Sequence, residues 1–482
     1  MDKKTGVHFY LNIKNLDSVI KSEEKKDEDL KRTLHRLQTY FVGLTKLVKD
    51  KGAKIEKYTA GRAHIIFEVT NDDKFDDSIL ETICSCFIYV NKIFNNLGKY
   101  SKYTNFSVHA GVDYGDYYDY EIEDEKITSI GSVANISAKI QSYAPKNSIY
   151  ATKKFIDKLN CSTRNKFIRL GESEYKELYS KVKVKNIYQI KYLDIFDDKK
   201  NDELFNDLEE IKNTVEEETK KINLKDIKFE EVEKKLSFDN LSLKGKNKKI
   251  VDAAILCADI RGFTKLFTVS DSNLDDLKDV MKKIYSIMGS VVEEFNGTLV
   301  QYQGDRLVAI YHDYDTEKEY IIRTLEAALT LKNKVIELSD NEDIKKKLNN
   351  KEISIGIGCS IGKVIATRLG RYASKDNIIL GEAYNYANKS EDEYAEKKQI
   401  VIYKTLKEKI ELIANSEDND NVEYEVFKDS FTSINTTGYY ITDITLDEYT
   451  DNVQKSKNNK LKIEQLVNEK FNSREAVRPW GK

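Results

Sequence analysis

The sequence predicts an α+β protein built from two copies of one unit. Two observations carry this. A succession of strand, helix, hairpin, helix and strand patterns is legible in the second half of the 482 residues and recurs in the first. Landmark residues also keep similar spacings. Asp259 and Asp305 lie 46 residues apart and Asn385 follows 80 later, against 49 and 74 for Asn12, Gly61 and Asn135. Self-similarity of this kind marks duplicated supersecondary units.

In the first copy, "GVHFYLNIKNLDSVI" reads as a strand and turn, and "LKRTLHRLQTYFVGLTKLVKDKG" carries helical periodicity. "AKIEKYTAGRAHIIFEV" reads as a hairpin, "FSVHAGVDYGDYYDY" as a later strand, and "ITSIGSVANISAKIQSYA" closes the unit. The connection from Asp197 to Lys249 is strongly charged. Leu204, Leu208, Ile211 and Val215 keep a 4-3-4 spacing in it, which predicts an amphipathic helix, and "KGKNKK" at its end reads as a solvated hinge.

The second copy runs from "VDAAILCADIRGFTKLF" (strand, turn) through the helix "LDDLKDVMKKIYSIMGSVVEEFNG" to the hairpin "GTLVQYQGDRLVAIYH". A helix ("YIIRTLEAALTLKNKVIEL"), a strand ("ISIGIGCSIGKVIATRL") and "IILGEAYNYANKSEDEYA" complete it. The remainder is either the last strands of this unit or a small appended sensor module. The boundaries are therefore placed at 1–196, 197–249, 250–405 and 406–482.

Composition narrows the function. Charged residues are 33% of the chain at a formal net charge of −3, so there is no overall basic field of the kind that nucleic-acid binding needs. No window approaches the roughly 20 apolar residues that span a bilayer, and the N-terminus lacks a signal-peptide core. A cytoplasmic protein without membrane partners is expected. The five cysteines form no zinc framework, and most sit in apolar runs as small core residues.

One residue breaks the core pattern: Asp259 follows the apolar run "ILCA". A carboxylate at the tip of a core strand is costly unless it caps a turn or meets positive charge. The segments "ADIRGFTKL", "GTLVQYQGDRLVAIY" and "IILGEAYNYANKSEDEYA" resemble the three diagnostic segments of the class III nucleotidyl cyclase family. The third departs, with Glu382 and Lys389 where the family usually has Asp and Arg. The resemblance is strong over about 250–400 and weak over 5–190. It implies two ferredoxin-like domains packed head to tail, with active sites at their interface.

The resemblance implies the following roles. Asp259 and Asp305, with the carbonyl of Ile260, hold two divalent cations (Mg²⁺ or Mn²⁺), and the turn carrying Phe263 and Thr264 meets the triphosphate. The first copy has Asn12 and Gly61 in place of the carboxylates, so it cannot hold the metals. It keeps the complementary half: Lys57 and Thr128 as base readers, Asn135 to orient the ribose, Lys139 where an arginine normally stabilises the transition state, and Lys185 on the triphosphate. One competent intramolecular site is expected, and the mirror site of Gln301, Ile378, Asn385 and Lys389 should be inert. A homodimer pairing two C-terminal domains is the rival arrangement.

The expected reaction converts a nucleoside triphosphate to a 3′,5′-cyclic mononucleotide and pyrophosphate. The layout, without receiver or membrane segment and with the tail "SINTTGYYITDITLDEY", resembles the Pycsar pyrimidine cyclases of anti-phage defence. That points to cyclic UMP or cyclic CMP acting on a downstream effector. Adenylate cyclase is the alternative, since Lys57 with Thr128 resembles an adenine-reading pair, and a non-catalytic nucleotide sensor is the further one.

Overall fold

A computed structural model describes residues 3–23, 27–70, 75, 77–122, 126–182, 184–262, 274–370, 375–416, 421–434 and 438–475. In the first half, β1 (Lys3–Ile13) leads through helices α1 (Leu16–Glu23) and α2 (Asp27–Asp50) into a hairpin of β2 (Lys54–Thr59) and β3 (Arg62–Glu68). Helix α3 (Asp77–Ile88), β4 (Val108–Ile122), β5 (Lys126–Ile130) and α4 (Ser132–Tyr143) follow, then β6 (Ser148–Thr152), β7 (Ile168–Arg169) and β8 (Ile187–Lys191). The sheet order is β2-β3-β1-β4-β6-β8-β7, with β5 paired to β4. Its first four strands have the ferredoxin-like order that the family resemblance implies.

Alternation along the strands decides what faces what. On β1, Val7, Phe9, Leu11 and Ile13 enter the helix-covered core, as do Ala63 and Ile65 of β3. His8, Tyr10 and His64 therefore fall on the opposite face of the sheet, the one that meets the second half.

The connection is more ordered than a solvated linker. The expected amphipathic helix is two helices, α5 (Asp198–Asn206) and α6 (Glu209–Lys221), and Leu204, Leu208 at the break between them, Ile211 and Val215 are buried in the first core, so the 4-3-4 stripe is a packing face. At Gly43 of α2 a Cβ would sit 2.3 Å from the Tyr89 hydroxyl and 2.5 Å from Val215 Cγ1. The absent side chain is what lets α6 dock. Strand β9 (Ile227–Glu230) then pairs in parallel with the start of β10 (Gly245–Arg261). "KGKNKK" is thus largely strand, not hinge. Buried Asn247 explains it, donating to the carbonyls of Lys228 and Leu243 and accepting from Thr367.

The second half repeats the plan with α7 (Leu274–Glu294), β11 (Thr298–Gln303), β12 (Arg306–His312), α8 (Tyr320–Asp340), β13 (Ser354–Leu369), β14 (Asp376–Leu380), α9 (Glu382–Lys389) and β15 (Gln399–Tyr403). Its sheet order is β11-β12-β10-β13-β15-β17-β16, with β14 on β13. Strands β16 (Phe431–Ile434) and β17 (Tyr439–Thr442) extend this sheet, so the tail supplies its last strands before helix α10 (Leu446–Glu475). Cys84, Cys86, Cys257 and Cys359 are buried free thiols, and Cys161 is exposed.

The halves exchange core residues. Ile365, Leu369, Ile378 and Leu380 of the second half join the first core, and Ile130 of the first joins the second. Gln38 and Gly370 add a two-way amide pairing, with Gln38 Nε2 donating at 3.1 Å and Gly370 N donating back at 2.9 Å.

Candidate functional site

On β10 the side chains of Ala254, Leu256, Ala258 and Ile260 enter the core beneath α7 and α8. Ala253, Ile255 and Cys257 form the other face, and the alternation places Asp259 on that face at its open end. The hairpin brings Asp305 beside it, because the last β10–β12 pair is Asp259 with Arg306. Gly304, at φ +66°, makes the turn that aims Asp305 inward.

These carboxylates share a cavity of about 320 Å³ with residues of the first half. Lys57, Asn135 and Lys139 line it with Asp259 and Asp305, so five of the sequence-predicted residues converge. Asn135 hydrogen-bonds the Asp305 carboxyl, and Lys139 lies close enough to favour its charge. Burial first, and the neighbouring Asp259 charge second, nevertheless push that carboxyl well above the usual carboxylate range. Two carboxylates crowded in this way, one of them buried, fit divalent cations. Among the described residues no group of three or more His, Cys, Asp or Glu is placed to hold a metal, so phosphate oxygens would have to complete the shell.

Asp259 is held meanwhile by Arg261, whose guanidinium reaches its Oδ2 at 3.0 Å and Glu391 Oε1 at 2.7 Å. A Cβ at Gly356 would lie 2.4 Å from Arg261 Nε, so that glycine makes room for the turned-in side chain. Arg306 meets the other Glu391 oxygen at 3.0 Å. Sequence reasoning did not single out Glu391; a Glu in the run "KSEDEYA" reads as a solvated face.

The other residues singled out from the sequence take the following places. The hairpin register sets Lys57 opposite His64 as Gln301 is set opposite Val308, so the two positions are equivalent. Lys57 Nζ donates to the Tyr302 carbonyl of the other hairpin. Thr128 is buried and donates to Glu56 Oε1 at 3.0 Å. Ile260 lies one residue past the last β12 pair with its side chain in the core. Lys185 is exposed and is not among the residues lining the cavity. Phe263 and Thr264 lie outside the described residues.

The mirror position is filled by side chains. Asn385 hydrogen-bonds Asp17 instead of a metal-binding carboxylate, and Glu382 pairs with Lys21 at 2.7 Å. Lys389 pairs with Glu393, and Ile378 is fully buried in the first core.

Residues 246–441 match the family described as the adenylate and guanylate cyclase catalytic domain. An adenylate cyclase of Anabaena cylindrica is 26% identical over 138 residues, which is 28% of this chain and 26% of that protein. The match thus spans about a quarter of the relative's length. A solved class III adenylyl cyclase-like ATP-binding protein from Pseudomonas aeruginosa aligns over 94% of this chain and 90% of its own, at 17% identity and a TM-score of 0.65. The architecture is that of tandem class III cyclase-like domains, and the second half is similar to the adenylate and guanylate cyclase catalytic domain.

Proposed function

We propose that the chain converts a nucleoside triphosphate into its 3′,5′-cyclic monophosphate, with the reaction held in the cavity between its halves. The observation that supports this best is the convergence of Asp259 and Asp305 from one half with Lys57, Asn135 and Lys139 from the other. The ribose 3′-oxygen attacks the α-phosphorus, the bond to the β-phosphate oxygen breaks, pyrophosphate leaves, and the hydroxyl proton passes to solvent. Asp259, Asp305 and the Ile260 carbonyl would hold two divalent cations, which supply charge neutralisation and a lowered hydroxyl pKa. Asn135 holds the ribose in line, and Lys139 offers a positive charge as negative charge builds on the phosphate. As a point charge, Lys139 lacks the planar fork of the family's arginine. Phe263 and Thr264 belong to the triphosphate turn, and Lys57 and Thr128 to the base end.

The base is proposed to be a pyrimidine, giving cyclic UMP or cyclic CMP as a second messenger for an effector in anti-phage defence. Its support is the layout of the sequence. ATP is the second reading, favoured by the Lys57 and Thr128 pair and by the kinship with an adenylate cyclase. No described helix is long and apolar enough to cross a membrane. Incubating the full chain with each NTP and Mn²⁺ and identifying products chromatographically tests the proposal. A cyclic nucleotide from at least one NTP supports it. Nucleotide bound without turnover would assign the chain to binding alone.

A further inference from the structure

Glu56 sits at the bulge of β2, where the register shifts between Ile55 and Lys57. The bulge re-aims it into the cavity beside Lys57. Its side chain is 8% exposed and every acceptor position is taken. Oε1 accepts from Ser129 N at 2.7 Å and Thr128 Oγ at 3.0 Å, and Oε2 accepts from Ser129 Oγ at 2.6 Å and faces His64 Nδ1 at 2.5 Å. His64 is fixed in turn by His8 at 2.9 Å and by stacking on Tyr10, with centroids 4.1 Å apart. Burial alone would raise the Glu56 carboxyl, but His64, Lys57 and Ser129 together hold it well below the usual range.

An ionised carboxylate only accepts, so each hydroxyl that meets it must spend its one proton there. Ser129 lines the cavity and has given Glu56 both its hydroxyl and its backbone N–H. What the Ser129 hydroxyl can offer a ligand is lone pairs alone. We propose that Glu56 is the positioning residue that sets the base preference, by making the Ser129 hydroxyl an acceptor that receives an exocyclic amine, with buried Thr128 helping to hold the Glu56 carboxylate in place. Lys57, alongside, is a donor suited to an unprotonated ring nitrogen. Cytosine and adenine carry that pair of neighbours. Uracil and guanine carry a carbonyl beside a ring N–H and meet the wall in the wrong sense. This rests on the cyclase reading and narrows it to CTP or ATP.

The test compares kcat/KM for CTP against UTP and for ATP against GTP in the full-length wild type, Glu56→Gln and Ser129→Ala proteins with Mn²⁺. Thermal melting verifies the fold of each variant. The wild type should favour the amine-bearing member of the pair it uses by about tenfold or more. In Glu56→Gln the amide must donate to one hydroxyl, turning that hydroxyl into a donor towards the base, and the ratio should fall by about tenfold. Ser129→Ala should lower kcat/KM for the amine-bearing NTP and spare the other, which serves if Glu56→Gln does not fold. The CTP and ATP arms separate the two sources of the amine. A wild type that prefers UTP or GTP, or an unchanged ratio in Glu56→Gln, overturns the proposal. If the wild type turns over no NTP, the cyclase reading fails by itself, and calorimetric binding of the four NTPs reads the same preference.

Discussion

Asn135, on a helix of the first half, hydrogen-bonds the carboxyl of Asp305, on a hairpin turn of the second. The counterpart Asn385 meets Asp17. One pseudo-symmetric amide therefore faces a carboxylate pair and the other a lone carboxyl already tied within the fold.

Asp259→Ala and Asp305→Ala should each abolish cyclic nucleotide formation while the protein stays folded. Loss of a preorganised electrostatic group of this kind is worth on the order of 2.7–4 kcal/mol. Product assays with Mn²⁺, paired with thermal melting, check this; more than a tenth of wild-type rate in either variant would sink the metal assignment.

Substitutions on the two sides should have unequal effects. Lys57→Ala and Asn135→Ala should cripple turnover, because misplacing reacting atoms by about 1 Å costs roughly a hundredfold. Gln301→Ala and Asn385→Ala should be mild, and rate per chain should not change on dilution. A dead Asn385→Ala variant with activity lost on dilution would instead point to pairing between chains.

Asp113 gives the fold a dependence on pH. Buried in β4 and hydrogen-bonded by Thr152, its carboxyl is pushed up by burial to about 7 from an ordinary 3.8. The folded state then holds a proton that the unfolded state releases, so stability from this group is complete below pH 3.8. It is lost as pH rises towards 7, at up to about 1.4 kcal/mol per pH unit. Asp113→Asn should flatten that slope, gaining more melting temperature over wild type at pH 8 than at pH 5. Equal gains at both pH values would refute the assignment.

Gly43→Ala should destabilise by about 1–3 kcal/mol, because its methyl would meet Tyr89 and Val215. Urea unfolding measures it. Adding Val215→Ala should recover part of the loss if α6 docks on α2 as described, and additive losses would argue that it does not.

The repeat was legible because it rests on local patterns, alternating apolar runs and fixed spacings, while the pairing of Asp259 with Asp305 followed from the resemblance of their two segments to the cyclase family. Lys57 was singled out by the family resemblance, and the hairpin ladder pairs it as Gln301 is paired. Glu56 was not legible. Strict alternation turns it away from Lys57, and the bulge that brings both to the cavity leaves no residue-type signature. A signal did exist in His8 and His64, polar rings inside "GVHFYL" and "RAHIIF". Strand β9 escaped for another reason. Its four residues, "IKFE", are half charged, and their pairing with β10 is fixed by buried Asn247. Lys185 was placed by motif alone on a strand the sequence had shortened, and it stays outside the cavity.

The β9–β10 ladder and the exchanged core residues join the two halves within one polypeptide, which changes how the cavity responds to substitution. In a symmetric homodimer every replacement is introduced twice, and a change that improves one wall is repeated in the facing one. Here a replacement at Glu56 or Ser129 alters that wall of the cavity once and leaves Asp259 and Asp305 untouched. The two walls are independently adjustable, so variants of one can be combined with variants of the other as separate modules.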